Sequence, residues 1–381
     1  MLYHLEDIEK IREFENNVRN LGQEVFDISH WDSGSEYNKT LLSKLEMDSI
    51  FEPFNYIYSY EIKKDIHLRV QNQLIGGTSK ENCSIFFSNS TITIVNICNF
   101  LQKNNITNIC ILQPSYFTVE PCLKSFGLNV KNVSLIYQDR NYKIPVQKIL
   151  DGGYDAVWIT SPIFCTSTYY ESQEIVKIQN LLNKGFYVIC DESLSIKEYN
   201  IRQHLSNTGR FLSFYSPHKV ISTNTIKFSC LICNEKYENF FNQWIDLFSG
   251  GLSNSSKIAI KHFLTSNYYE CLNFHINYTN DIKTKILKLL SINNYLDKIS
   301  FSHTIGQYMT IFCVSIPYAE SIKQDFIKNL IYTTKVSLLP GYLEGFFEEF
   351  GFCFRINLTL DESILIASLN RVLTYLNGIY L

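Results

Sequence analysis

No stretch of this sequence reaches the roughly 18 consecutive apolar residues that a membrane-spanning helix needs, so a span is not expected. The opening segment, MLYHLEDIEKIREFENNVRN, is charged throughout and lacks the apolar core of a secretion signal. No basic run interrupts a net charge of −3, which leaves no electrostatic footprint for nucleic acid or an anionic membrane. Neither G-x-G-x-x-G nor G-x-x-x-x-G-K-[ST] occurs, which argues against a nucleotide-binding α/β enzyme with a glycine-rich phosphate loop. The one C-x-x-C, Cys230 and Cys233, has no second pair to complete a zinc site, so no metal is expected. The eleven cysteines are odd in number and set mostly in apolar stretches, as at Cys98, Cys110, Cys190 and Cys313. That pattern suits buried free thiols in a reducing compartment better than a disulfide framework. The expectation is a soluble, cytoplasmic protein.

What is present is a globular composition over 381 residues, 45% hydrophobic and 19% charged, enough chain for one large and one smaller domain. Leu5, Ile8, Ile11, Phe14, Val18 and Leu21 recur at helical spacing before Gly22. From residue 83 to 234, short apolar runs alternate with helical patterns, notably 91–103 and 172–184. The runs CSIFF (83–87), NICIL (108–112), NVSLI (132–136), AVWIT (156–160), FYVIC (186–190), FLSFY (211–215) and KFSCLIC (227–233) read as strands. Continuous apolar strands separated by helices predict an α/β fold, a mostly parallel sheet sandwiched by helices. A long helical region (236–292) follows. Three more strand signals, YMTIFCVSI, KVSLLPG and FCFRINLTL, and a closing helix over 361–377 read as a smaller α+β domain. We place the large domain at 46–280 and the small one at 1–45 and 281–381.

Ligands of such sheets sit at the carboxyl ends of the strands, so the residues just past each run are the candidates. These are Ser88-Asn89-Ser90-Thr91, Gln113-Pro114-Ser115-Tyr116, Ser161-Pro162-Ile163-Phe164-Cys165-Thr166-Ser167, Asp191-Glu192-Ser193 and Ser216-Pro217-His218-Lys219, with Lys227 eight residues on. The late Phe354-Arg355-Ile356 completes the set. Each has an ordinary alternative: Asp191 and Ser90 as helix caps, Lys219 as a solvated lysine, Tyr116 as a core aromatic. Yet a lysine directly after a buried strand, and an arginine inside FCFRINLTL, are out of place without a partner.

In this order the motifs resemble the class I/II aminotransferase superfamily, pyridoxal-phosphate (PLP) enzymes of fold type I, over nearly the whole chain from about Ile28. The resemblance implies PLP as cofactor, carried by Lys219, which also serves as general base once substrate releases it. Asp191 would keep the pyridine nitrogen protonated, as an electron sink requires. The phosphate would be held by Ser90 and Thr91 at a helix N-terminus, by Ser216 and by Lys227, where the family usually has arginine. Tyr116 would stack on the ring, and Arg355 would grip the substrate α-carboxylate through two hydrogen bonds. His30 and Trp31 fall at the family's first substrate-contacting turn. Tyr58 or Tyr60 would reach the phosphate of a neighbouring subunit in a homodimer.

The sequence departs from the family in several places. Phe164 stands where an asparagine, and Leu194 where a tyrosine, bond the phenolic oxygen of the cofactor, so a more basic lysine–cofactor linkage is expected unless Thr166 or His218 substitutes. Ser90 replaces the usual glycine of the phosphate turn, and no glycine occurs near Ile62-Lys63. The His218-Lys219 pair resembles that of certain PLP decarboxylases. The implied activity is amino-group transfer from an amino acid to a keto acid, in a specialised biosynthetic pathway. The alternatives are other PLP chemistry (decarboxylation, elimination, substitution or oxidation) and a catalytically degenerate relative that serves as an interaction protein.

Overall fold

A computed structural model describes residues 3–45, 57–77, 81–138, 141–293 and 299–379. The chain opens with helix α1 (Tyr3–Asn20). The central sheet contains β1 (Asn82–Phe87), β2 (Asn108–Gln113), β3 (Asn129–Ser134), β4 (Ala156–Thr160), β5 (Tyr187–Asp191), β6 (Phe211–Tyr215) and β7 (Ser229–Asn234). Its seven strands lie in the order β1-β7-β6-β5-β4-β2-β3. All run parallel except β7, which is antiparallel to both β1 and β6. Helix α2 (Ser90–Lys103) follows β1, and α3 (Ser172–Asn183) joins β4 to β5.

The unbroken apolar runs follow from covering both faces. On β4, Ala156 and Trp158 enter one core while Val157 and Ile159 enter the opposite one, as the two-residue period of a strand demands. Each such fully buried Val, Ile or Leu contributes on the order of 1.5–3 kcal/mol. The same pleat separates Cys230 from Cys233, which belong to different cores, so this C-x-x-C cannot close on one ion.

Strand β3 begins and ends earlier than the predicted 132–136, and 136–138 instead forms a small hairpin with 141–143. As an edge strand β3 exposes Asn129, Lys131 and Asn132, so the apolar cue is centred past its end, on Leu135. Beyond the sheet come α4 (Pro217–Val220), α5 (Glu238–Phe248), α6 (Asn254–Phe263) and α7 (Ser266–Ile292). The predicted helical stretch is thus three helices, with the first break at Gly250-Gly251.

The second sheet is antiparallel: β8 (Ser300–Ser302), β9 (Tyr308–Cys313), β10 (Leu339–Pro340) and β11 (Phe352–Asn357), in the order β8-β9-β11-β10. Helices α8 (Gln324–Thr334) and α9 (Glu362–Ile379) complete it. Ile8, Ile11, Phe14 and Val18 of α1 pack into the same core, so the N-terminal helix sits with the C-terminal strands. Helix α7 serves both halves, giving Tyr268 and Cys271 to the core under the large sheet and Ile282, Ile286 and Leu290 to the small one. The 280/281 boundary we place between domains falls inside this helix, between those two sets. Among the described residues, no helix is long and apolar enough to cross a membrane.

Candidate active site

The carboxyl ends of the parallel strands converge on a cavity of about 260 Å³. Ser90, Tyr116, Thr160, Ser161, Pro162, Phe164, Asp191, Ser193, Leu194, Lys219 and Lys227 line it from the large-sheet side; Trp31, Asp32, Asn224, Gln307 and Tyr308 complete the wall. Lys219 is set there by α4, a single turn begun by Pro217, whose missing N–H costs nothing at a helix start. Its Nζ donates to Ser90 Oγ at 2.6 Å and lies 5.9 Å from the centre of the Tyr116 ring. Burial pushes the amine down to about 8; the Asp191 carboxylate opposes that shift and the Lys227 charge adds to it.

Asp191 ends β5 inside the same cavity. Its Oδ1 accepts the Ser193 backbone N–H at 3.0 Å, and burial nonetheless holds its carboxyl above the ordinary range. Ser90 is not a cap: Asn89 does that work, its side chain accepting Ile92 N–H at 3.0 Å, which frees the Ser90 hydroxyl for Lys219. Among the lining residues Thr160 Oγ1 and Ser161 Oγ are buried without a hydrogen-bond partner, the Ser193 hydroxyl bonds the Asp191 carboxylate and favours its charged form, and Ser216 Oγ, also buried and unmet, does not line the cavity. Each such unmet hydroxyl costs on the order of 1–3 kcal/mol, so the Thr160–Ser161 pair is shaped for an acceptor-rich ligand.

The other candidates lie elsewhere. His218, adjacent to Lys219 in sequence, turns away from the cavity: its Nε2 meets His262 Nδ1 at 3.1 Å among Phe228 and Tyr268, and burial pushes it down to about 3. Thr166 does not line the cavity either, because its hydroxyl donates to Ile163 O and accepts Thr168 N–H within its own loop. Neither residue therefore substitutes for the donors lost at Phe164 and Leu194, both of which do face the cavity. Thr91 is exposed one position past Ser90. Tyr58 and Tyr60 stack on each other, 5.2 Å apart, away from the cavity. His30 is exposed, 3.6 Å from Asp32.

Arg355 is the largest departure from expectation. It is 1% exposed and lines a second cavity, of about 500 Å³, rather than the one that holds Lys219. Its Nη1 is 2.6 Å from Glu344 Oε1 and donates to Cys165 Sγ, while Nη2 donates to Ser29 O. Trp31 and Tyr308 cover it, with ring centres 4.0 and 4.9 Å from the guanidinium carbon. The anion that an arginine in FCFRINLTL requires is thus the chain's own Glu344, fully buried and reached through Gly345 (φ +89°). A side chain at Gly345 would also collide with Gln113.

No protein-family model matches the chain, and no curated protein matches it in sequence. Solved structures do. The aspartate aminotransferase of Thermotoga maritima superposes with a TM-score of 0.77 at 16% identity, covering 97% of each chain. The chain has the aminotransferase fold. A PLP-bound C-S lyase of Staphylococcus hominis shares it (TM-score 0.74, 14% identity, 93% of this chain and 89% of that one), as does cystalysin of Treponema denticola (0.69, 17%, 93% and 92%). Within the aminotransferase fold the sequence located Lys219, Asp191, Ser90, Tyr116, Phe164, Lys227 and Trp31 on one cavity. It missed Asp32, Asn224, Gln307 and Tyr308, which come from connecting loops and the start of β9 and carry no local signal. Ser161 and Ser193 stand in the strand-end motifs and could have been chosen from them.

Proposed function

We propose that the protein is a PLP-dependent enzyme that moves an amino group, a transaminase in which Lys219 carries the cofactor. The observation that supports this most is a lysine amine of lowered basicity sharing a strand-end cavity with a buried carboxylate and the two unpartnered hydroxyls of Thr160 and Ser161. The residues fit the group. Asp191 would hold a proton on the ring nitrogen, Tyr116 would lie against the ring, and Ser90 and Lys227 would hold the phosphate, with Thr160 and Ser161 supplying further donors. Bound there, PLP supplies an electron sink for the bond broken at the carbon that bears the amino group.

The chain's own residues handle the proton. Lys219 Nζ, with an appreciable neutral fraction at physiological pH, accepts it from the substrate carbon and returns it, held in place by the Ser90 hydroxyl. Trp31, Phe164 and Tyr308 form an aromatic wall on one side of the cavity. The neighbouring folds include both aminotransferases and C-S lyases, so the products decide the reaction.

The test is to incubate the protein with PLP, reduce with borohydride and map the added mass. A pyridoxyl group on Lys219, lost in Lys219→Ala, is the expected result; an unlabelled lysine and no absorbance between about 330 and 430 nm, where PLP adducts absorb, would refute the proposal. Formation of pyridoxamine phosphate from substrate supports transamination, whereas carbon dioxide or a thiol would assign a decarboxylase or lyase.

A further inference from the structure

The cavity contains four charged side chains: Asp32, Asp191, Lys219 and Lys227. If PLP is bound as proposed, on which this inference rests, both lysines and Asp191 are engaged by the cofactor. No cation among the described lining residues then remains for a substrate carboxylate, and the remaining charge, Asp32, has the wrong sign for one. The arginine that could have served is neutralised by Glu344 at 2.6 Å and opens on the other cavity. What faces the space is Trp31, Tyr116, Phe164, Leu194, Gln307 and Tyr308, mostly aromatic and apolar. The amides offer little more, because Asn224 Nδ2 and Gln307 Nε2 both donate to Trp31 O, at 2.9 and 3.4 Å, and so steady the wall.

We infer that the site takes a primary amine with an apolar, aromatic-sized body and no carboxylate beside the amino group. Burying an unpaired carboxylate against these rings, with Asp32 nearby, is strongly unfavourable. An aryl or alkyl body instead gains area against three rings at no electrostatic cost. The Arg355–Glu344 pair is in this view a closed ion pair behind the Trp31 indole that does not reach the substrate, with Cys165 and Ser29 completing its hydrogen bonds.

The decisive comparison uses two ligands that differ only in the carboxylate, 2-phenylethylamine and L-phenylalanine, titrated into the PLP-loaded protein. Affinity is read by calorimetry and by the shift of the cofactor absorbance. The expected result is at least tenfold tighter binding of 2-phenylethylamine. Equal or tighter binding of phenylalanine overturns the inference. The double substitution Arg355→Met with Glu344→Gln, which leaves no buried ion unpaired, is expected to keep the affinity for 2-phenylethylamine within about threefold. A folded double variant that loses more than tenfold would show that Arg355 contacts the ligand, and would equally overturn the inference. Borohydride mapping separates the two levels of the argument: label on Lys219 with phenylalanine preferred refutes only the substrate class, whereas absence of label refutes the cofactor assignment.

Discussion

Burial that pushes the Lys219 amine down to about 8 leaves it a larger neutral fraction at pH 7 than an ordinary lysine has. Condensation of PLP with Lys219 should therefore accelerate as pH rises through about 8 and level off above it. Replacing Asp191 with Asn removes the carboxylate that keeps the amine protonated, so the midpoint of this profile is expected to move to lower pH, with weaker PLP retention. A midpoint that stayed or rose in stopped-flow absorbance would show that the two groups do not sense each other. At this scale the sequence was informative wherever position alone fixes direction. Lys219, Asp191 and Ser90 follow buried strands, and strand ends of a parallel sheet point one way. It was uninformative about neighbours on a helix. His218 and Lys219 are adjacent, as are Ser90 and Thr91, but successive residues on a helix are rotated by about 100°, so one member of each pair faces the cavity and the other does not. Nor could it show that the partner of Arg355 would be Glu344, a contact across β11 and the turn before Gly345.

The elements themselves were legible because both signals are local. The two-faced apolar runs marked six of the seven large-sheet strands nearly to the residue, and helical spacing marked α1, α2, α3 and α9. The misses have physical causes. Edge strand β3 needs little apolar content, and β8 is three residues long, too short for a period to register. Helix α2 starts at the cavity side of the sheet, and its position depends on the Asn89 cap. Asn89→Ala is expected to cost about 1 kcal/mol of unfolding free energy, measured by denaturant titration. Because the same cap fixes Ser90, the variant should also lower PLP affinity, while Asn89→Asp should restore both. An Asn89→Ala protein as stable as the parent would remove the cap from the account. Gly345→Ala is the harsher change, requiring a left-handed backbone at a site where the new methyl meets Gln113; a loss of several degrees in Tm is expected.

At the scale of the whole molecule, burial lowers the basicity of several histidines. His275, bonded through Nδ1 to the Tyr37 hydroxyl at 2.7 Å, is pushed by burial down to about 3, and His303 to about 4. The unfolded chain protonates these rings near 6.5 and the folded one does not, so each contributes stability above 6.5 that is lost as pH falls toward its folded value. The slope is up to about 1.4 kcal/mol per pH unit for each ring. His275→Gln should thus flatten the fall in stability between pH 6 and pH 4 by about that amount, read from urea midpoints at a series of pH values; an unchanged slope would show that the ring is charged in the fold. Assembly as a homodimer, with Tyr58 reaching toward a partner's phosphate site, is a further expectation, checked by sedimentation of the parent and of Tyr58→Ala.

Strand β7 lies between β1 and β6 and is the one strand that runs against them. Segments that leave the ribosome far apart, around residues 85 and 231, must therefore zip together before the sheet is whole, and long-range pairings of this kind form slowly. The hydroxyl of Ser90 and the amine of Lys219 are separated by 129 positions along the chain, yet meet in a hydrogen bond in the closed sheet. A nascent polypeptide stalled short of β7 would carry Lys219 as an ordinary lysine, without the burial that lowers its basicity. On the proposed function, the vitamin-derived aldehyde would thus be captured productively only by a finished protein.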